Sequence, residues 1–368
     1  MLTRIYIDNF RCFVNFEYKP DRKQLVIGKN GSGKSSFLDA WLWVRGFAAR
    51  GVQSFGVSLM NQRTRWMRQS QQTFEFEAVL DNKTFTYHLT LDMWGDPPAP
   101  RIVAETVYAD KRPLFEFVSG EVRLYNEQSE QKTSYPFDWH RSAFATIIPS
   151  TDNHALKRFA KWFDSSFGFR INPFKMHARA ESEATTPYAS LSDFASWYRH
   201  LVQAHPKQNA SLLDSLRSVL DDFSFLELES VGQNIRVLLC EFAHLNEPPI
   251  KFTFNELSEG QKCLIALYAV LHFVLAMGNT VIFDEPENFL SLHEIQPWLN
   301  AVSDLVDEGK GQVVIISHHP EFMNQWASSF GVRFVREGVG PVRVKEFSGE
   351  GYSTLLPSEI IARGWENE

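Results

Sequence analysis

The run Gly28-Lys-Asn-Gly-Ser-Gly-Lys34-Ser35 constrains this chain more than any other stretch. An apolar segment, Leu25-Val26-Ile27, stops at Gly28; beyond the run, Phe37, Trp41 and Val44 share a helical face with Leu38 and Leu42. Strand, glycine loop and helix in that order make a phosphate cradle. Glycines let successive backbone N–H groups turn toward phosphate oxygens, and the helix N-terminus adds partial positive charge. At this spacing Lys34 reaches the β and γ phosphates and the Ser35 hydroxyl ligates Mg2+, with Lys29, Asn30, Gly31, Ser32 and Gly33 lining the cradle. The plain alternative, a chance glycine turn ahead of a helix, does not account for all three parts falling in place.

Composition narrows the setting. Among 368 residues, 44% are hydrophobic, with 31 Phe, 10 Tyr and 10 Trp, enough for a large core and against disorder as the overall description. Length allows two or three domains, or one discontinuous domain with an insertion. Three cysteines, Cys12, Cys240 and Cys263, are too few and too scattered for a disulfide framework or a cysteine zinc site, so a cytoplasmic setting is expected. The first residues, Met1 to Phe10, lack the basic and apolar regions of a signal peptide. Cys263 to Phe283 carries no charge and mimics a membrane span. It is broken by Gly278-Asn279-Thr280, so it reads as a buried helix followed by a buried strand, and no membrane partner is expected. A net charge of −7 gives no global pull toward nucleic acid, so any such binding needs a local patch.

Along the chain, strand-like alternation over 4–14 leads into the loop. Residues 74–125 alternate as half-buried antiparallel strands, with Asp81-Asn82-Lys83 as a turn and Gly95-Asp-Pro-Pro-Ala-Pro100 as a rigid break. From about 140 to 230 the period becomes helical. Ala155, Leu156, Phe159, Ala160 and Phe163 line one face; Leu191, Phe194, Ala195, Tyr198 and Leu201 line a second; Leu212, Leu213, Leu216, Val219 and Leu220 line a third. None sustains the heptads of a long coiled coil. Strands near 235–242 and 251–254 are expected to return the chain to the main sheet. A helix over 259–277, a strand at 280–283, a helix near 292–307 and a strand at 313–316 then complete an α/β alternation. Val332–Val335 and Val342–Glu346 look like a terminal hairpin.

Three further segments carry chemistry. Val281-Ile-Phe-Asp284-Glu285 is an apolar strand ending in two carboxylates: the first can hold a Mg2+ hydration shell, the second can accept a proton from attacking water. Taken alone such a pair is more often a solvated strand end; with the glycine loop in the same chain the hydrolytic reading gains. Leu257-Ser258-Glu259-Gly260-Gln261 opens the long apolar helix. Ser258 and Gln261 form a capping-box pattern, and the same serine with the Gly260 N–H could bind a phosphate held elsewhere; both readings can hold at once. Val313-Val-Ile-Ile-Ser317-His318-His319-Pro320 ends another buried strand, and strand ends of an open parallel sheet are where ligands bind.

The order of these motifs resembles the ABC-type ATPases: glycine loop, Ser-Glu-Gly-Gln signature, Asp284-Glu285-Pro286, then His318. Ile5-Tyr-Ile-Asp-Asn-Phe-Arg11-Cys-Phe and Asn30 look like the RecF and SMC branch, and the long spacing from Lys34 to Ser258 is unlike transporter subunits. The resemblance covers roughly 1–130 and 245–345. Pro113-Leu-Phe-Glu, Leu191-Ser-Asp-Phe-Ala-Ser-Trp-Tyr and Pro357-Ser-Glu-Ile-Ile-Ala-Arg-Gly-Trp365 look, more loosely, like coil-less bacterial ATPases of phage-defence operons. The fold implied is α/β, an ABC-type head of mixed sheet with an antiparallel β subdomain. It is divided as 1–135 and 245–350 for the head, 136–244 for a compact, mainly helical insertion, and 351–368 for a tail.

The resemblance also implies a head-to-tail homodimer around ATP and Mg2+. Lys34, Ser35, Asp284, Glu285 and His318 would stand on one side, with Ser258 and Gly260 of a second copy on the other. Glu285 would be the base for water, His318 the γ-phosphate sensor, and Ser35 and Asp284 the metal contacts. Ser36 would lie near the α-phosphate, with Arg11 a weaker candidate for nucleotide contact. Glu259 replaces a frequent glycine, and the metal-contacting glutamine has only Gln69, Gln71 and Gln72 as candidates. Glu287-Asn-Phe-Leu-Ser291 occupies the position of the loop that crosses between subunits, or is an ordinary approach to a helix. No acidic cluster or HNH motif of a nuclease follows position 320, so a separate effector, nuclease or toxin, is the expected partner in antiphage defence. A DNA-repair ATPase and a slow-turnover nucleotide-sensing scaffold are the alternatives.

Two basic patches are weaker signals. Arg63-Thr-Arg65-Trp66-Met-Arg68 could track phosphates and stack a base, against the commoner reading of a solvated loop. Lys157, Arg158 and Lys161, followed by Arg170, Lys175 and Arg179, are either a solubilising face or a partner surface. The histidines show no HExxH spacing, so no zinc site is expected.

Overall fold

Alternation of apolar and polar residues builds the largest sheet. In Gln72–Leu80 every second side chain is buried up to Ala78, and Phe74 and Phe76 stand opposite Leu89 and Tyr87 of Lys83–Trp94. Two-residue turns close three of its hairpins. Asp81-Asn82, Asp110-Lys111 and Ser119-Gly120 all have positive φ, the conformation a tight hairpin requires of both central residues. The computed structural model describes residues 1–50, 59–94, 99–147, 153–243, 248–348 and 355–365; Gly95 to Pro98 of the expected break, and 349–354 and 366–368 at the tail, lie outside them.

The chain forms two compact units, one of Met1–Ser166, Trp326–Ser353 and Gly364–Glu368, the other of Phe167–Gln325 and Thr354–Arg363. In the first unit an eight-stranded antiparallel sheet runs in the order Phe16–Tyr18, Leu2–Asp8, Gln72–Leu80, Lys83–Trp94, Ala99–Ala109, Arg112–Val118, Glu121–Tyr125, Gln131–Pro136. Lys23–Ile27, buried at every position, pairs in parallel with Gly331–Arg336, which turns back antiparallel on Val342–Glu346, the expected hairpin. The helix Lys34–Arg50 fills the space between these sheets with aromatic side chains: Phe37 meets Phe334 edge-on at 5.7 Å, and Trp41 meets Phe76 at 5.1 Å. Burial of such rings supplies most of the driving force for packing. The helix His154–Ser165 is capped by Asn153, whose Oδ1 accepts from the Leu156 N–H at 2.8 Å. Its inward face is Ala155, Leu156, Phe159, Trp162 and Phe163. Trp162 stands in place of the expected Ala160.

In the second unit three parallel strands, Phe167–Phe169, Thr280–Asp284 and Gln312–Ile316, lie side by side. The uncharged stretch from Cys263 resolves as expected into the helix Glu259–Val270, a π-helical turn Leu271–Leu275, a bend at Gly278 and the strand Thr280–Asp284. No helix among the described residues is long and apolar enough to cross a membrane. Phe194–Ala204 and Pro206–Val219 are the expected helices. One expectation fails. Ile235–Phe242 and Ile250–Thr253 do not rejoin the parallel strands; they pair antiparallel with each other, and Ile235–Phe242 also with Phe223–Val231 and Arg179–Ala180. Gly232, at φ 83°, turns Val231 directly back onto Ile235, so a long local ladder forms before any distant pairing is needed.

Candidate nucleotide site

The loop after Lys23–Ile27 is shaped by its glycines. Gly31 and Gly33 have φ of 82° and 98°, and a Cβ on Gly33 would stand 2.9 Å from Cys12 Sγ and from Val342 Cγ2. A Cβ on Gly28 would approach the Phe334 carbonyl oxygen to 2.6 Å. The Ser32 N–H donates to the Lys29 carbonyl at 3.1 Å, and the Phe37 N–H to the Gly33 carbonyl at 2.9 Å, which starts the helix. Lys34, only 6% exposed, curls over its own loop and donates to the carbonyls of Gly28 at 2.6 Å and Lys29 at 3.2 Å. Its ammonium is thus held against the carbonyls of its own loop. Lys29, Asn30, Gly31 and Ser35 are exposed, as a ligand would require. Gly28–Ser32 and Arg333–Gly338 line a cleft of about 610 Å³.

Arg11 lies beside the start of the helix Lys34–Arg50. It pairs with Asp39 at 2.5 Å, donates to Gln62 Oε1 at 3.0 Å, and touches the Ser36 hydroxyl at 3.4 Å. Arg11 thus links the Ser36 and Asp39 side chains of the helix's first turns. Gln69 donates to Asp8 at 2.9 Å, and Gln72 is buried and donates to the Asn9 carbonyl at 2.9 Å.

In the second unit Asp284 ends its strand 5% exposed, its Oδ2 accepting from Arg170 Nε at 2.8 Å and its Oδ1 buried without a hydrogen bond. An orphaned buried carboxylate oxygen and a hard oxygen donor are what Mg2+ takes, so the residue fits that ion. Glu285 adopts φ 53° while its N–H donates to the Ile316 carbonyl at 2.8 Å, which turns the side chain out of the strand. Its carboxylate accepts from Asn288 at 3.1 Å and lies 3.9 Å from His318 Nε2. The two residues expected to flank a γ-phosphate thus stand side by side, each more than a third exposed. Behind them Glu287 is 8% exposed and accepts from the Ser317 hydroxyl at 2.5 Å; burial, first of all, pushes its carboxyl up to about 7.

Ser258 caps the helix Glu259–Val270. Its Oγ accepts from the Gln261 N–H at 3.2 Å and its N–H donates to Gln261 Oε1 at 3.0 Å, the reciprocal capping box. Gly260 is fitted against the loop after Pro286, where a Cβ would come 3.0 Å from the Phe289 carbonyl oxygen. Phe289 is 47% exposed and meets Phe174, 67% exposed, edge-on at 5.4 Å; Leu292 is exposed nearby in sequence.

With this geometry in view, the likenesses to known proteins are specific. The family model of the RecF/RecN/SMC N-terminal domain matches residues 1–340. The chain belongs to the RecF/RecN/SMC family. Its fold is the ABC-type ATPase head of the SMC proteins. The Smc head domain of Pyrococcus furiosus, with an extended coiled coil and bound to the C-terminal domain of ScpA, superposes with a TM-score of 0.53 at 10% identity, covering 100% of this chain and 98% of that one. The OLD nuclease of Thermus scotoductus is 20% identical over 335 residues, 88% of this chain and 60% of that protein. Structural maintenance of chromosomes protein 4 of Microtus arvalis is 25% identical over 164 residues, 43% of this chain and 13% of that protein. The chain thus spans less than two thirds of either relative's length, 60% of the nuclease and 13% of the chromosome protein.

Sequence reasoning did not single out Arg170 as a partner of Asp284, nor Asn288, Ser317 and Glu287 around Glu285 and His318. Arg170 counted only as one of several basic residues. The strand just before it, Phe167–Phe169, is too short to show a period.

Proposed function

We propose that this chain binds and hydrolyses ATP with Mg2+, dimerises around the nucleotide, and through that cycle controls a separate effector, a nuclease or toxin, in antiphage defence. The carrying observation is the cradle itself: a Lys34 ammonium folded back on the Gly28 and Lys29 carbonyls of a loop whose Gly31 and Gly33 have φ values that other residues rarely adopt. In this reading Gly28 to Ser36 hold the phosphates, and Ser35 and Asp284 hold the metal. Bound Mg2+ would draw charge from the terminal phosphate. Glu285, its carboxylate oriented by Asn288, takes the proton of the attacking water, and His318 donates to the terminal phosphate.

A second copy supplies Ser258 and Gly260. The exposed Phe174 and Phe289 beside that helix start support an apolar contact there, since paired aromatic rings left open to water favour a covering partner. The insertion 136–244 is proposed as the effector's docking region, and the OLD nuclease likeness supports an association with a nuclease. Replacing Glu285 with Gln tests the reading: ATP binding stays, and single-turnover hydrolysis slows by ~10²-fold or more, the usual worth of a positioned base. Unchanged hydrolysis removes Glu285 from the role.

One observation favours a second reading, DNA binding. Arg63, Arg65 and Arg68 are all exposed, and Trp66, 44% exposed, is backed by Arg336, whose guanidinium carbon lies 5.6 Å from its ring centre. Phosphates could follow the arginines while a base stacks on the indole.

A further inference from the structure

The short strand Phe167–Phe169 pairs in parallel with Val281–Phe283, residue for residue, so the next residues on the two strands, Arg170 and Asp284, arrive side by side. Their contact is direct: Arg170 Nε donates to Asp284 Oδ2 at 2.8 Å. The two ends of this pair live in different surroundings. Asp284 is 5% exposed and its second oxygen, Oδ1, is buried with no hydrogen bond. The Arg170 side chain is 45% exposed, while its backbone N–H is fixed to the Ala189 carbonyl at 2.8 Å. Removing the partner of a buried carboxylate is strongly unfavourable, so a positive charge beside Asp284 is stabilising. Before a metal arrives, the guanidinium supplies it.

A divalent ion on the same carboxylate would supply that charge instead, and two cations on one buried carboxylate repel each other. Of the two side chains Arg170 is the one open to solvent, 45% exposed against 5% for Asp284, so it is the one that can give way. We propose that Arg170 is a resident counter-ion of Asp284 that competes with the divalent metal and leaves the carboxylate when metal and nucleotide load. Arg170 thereby sets the metal concentration at which the site fills, and it keeps Asp284 neutralised in the empty protein. This rests on the proposed reading of Asp284 as the metal's carboxylate.

The test is a titration of the full chain with Mn2+ in the presence of a non-hydrolysable ATP analogue, following free Mn2+ by electron paramagnetic resonance. Arg170→Gln lowers the half-saturating Mn2+ concentration at least tenfold. Arg170→Lys, which keeps the charge but loses the planar Nε–H contact, lowers it by a smaller, measurable factor. In an Asp284→Asn background, where Mn2+ binding is weak, adding Arg170→Gln changes nothing. In EDTA, Arg170→Gln lowers the melting temperature and the double variant recovers it. Unchanged or weaker Mn2+ binding by Arg170→Gln overturns the proposal; if that variant does not fold, unchanged binding by Arg170→Lys overturns it. Wild-type Mn2+ binding by Asp284→Asn alone overturns the underlying reading of the site, whatever Arg170 does.

Discussion

Glu287 ties the candidate site to stability through pH. Its side chain is 8% exposed, Oε1 accepts from Ser317, and Oε2 is buried with no hydrogen bond. Burial raises its carboxyl to about 7 from the ordinary 4.5; the charge of Glu285 adds to the rise, and the Ser317 hydroxyl and the His318 backbone N–H oppose it. Between those two values the folded chain holds a proton that the unfolded chain has lost. The contribution is therefore fully present below pH 4.5, falls as pH rises toward about 7, and is gone above it. At about 1.4 kcal/mol for each pH unit of that window, the loss amounts to roughly 3–4 kcal/mol at most. Glu287→Gln keeps a neutral acceptor for Ser317 and has no proton to lose. Denaturant midpoints of both proteins, read at steps from pH 4.5 to 8, should diverge, the wild type losing stability relative to the variant as pH rises. Parallel curves would refute the assignment of a protonated Glu287.

Other outcomes follow from single positions. Gly33→Ala forces a Cβ onto φ 98° and into Cys12 and Val342, and should cost about 1–3 kcal/mol together with most nucleotide affinity, read by melting temperature and equilibrium binding. Charge reversal at Arg63, Arg65 and Arg68 should abolish low-salt DNA binding, measured by fluorescence anisotropy; if the wild type binds no DNA at low salt, the second reading fails. Phe289→Ser should leave ATP binding by the monomer intact and weaken self-association, because it removes one ring of the exposed pair beside Gly260.

Much of this molecule is written in short-range patterns. Gly28 to Ser35 announces its conformation because the required φ values at Gly31 and Gly33 restrict the residue type, and Asp81-Asn82 announces a hairpin for the same reason. The split of the uncharged stretch after Cys263 into helix and strand is legible from Gly278 and the β-branched residues beyond it. What the sequence hides depends on distant pairing. Phe223–Val231 sits where a helical period has just ended, and its strand character comes from a ladder with Ile235–Phe242. Arg170 and Asp284 are 114 positions apart, and only a three-residue strand without periodicity brings them together. The buried state of Glu287 is equally silent, since a glutamate after Asp284-Glu285-Pro286 reads as one more solvated acid.

The most direct test of the account is sedimentation velocity on Glu285→Gln with ATP and Mg2+, beside the same variant carrying Ser258→Arg. Ser258 is an exposed N-cap, so its loss should cost the fold only about 1 kcal/mol. The account predicts that Glu285→Gln doubles its mass on adding ATP and that the Ser258→Arg form stays monomeric while still binding nucleotide. Equal ATP-dependent assembly of both, or no assembly of either, would contradict it.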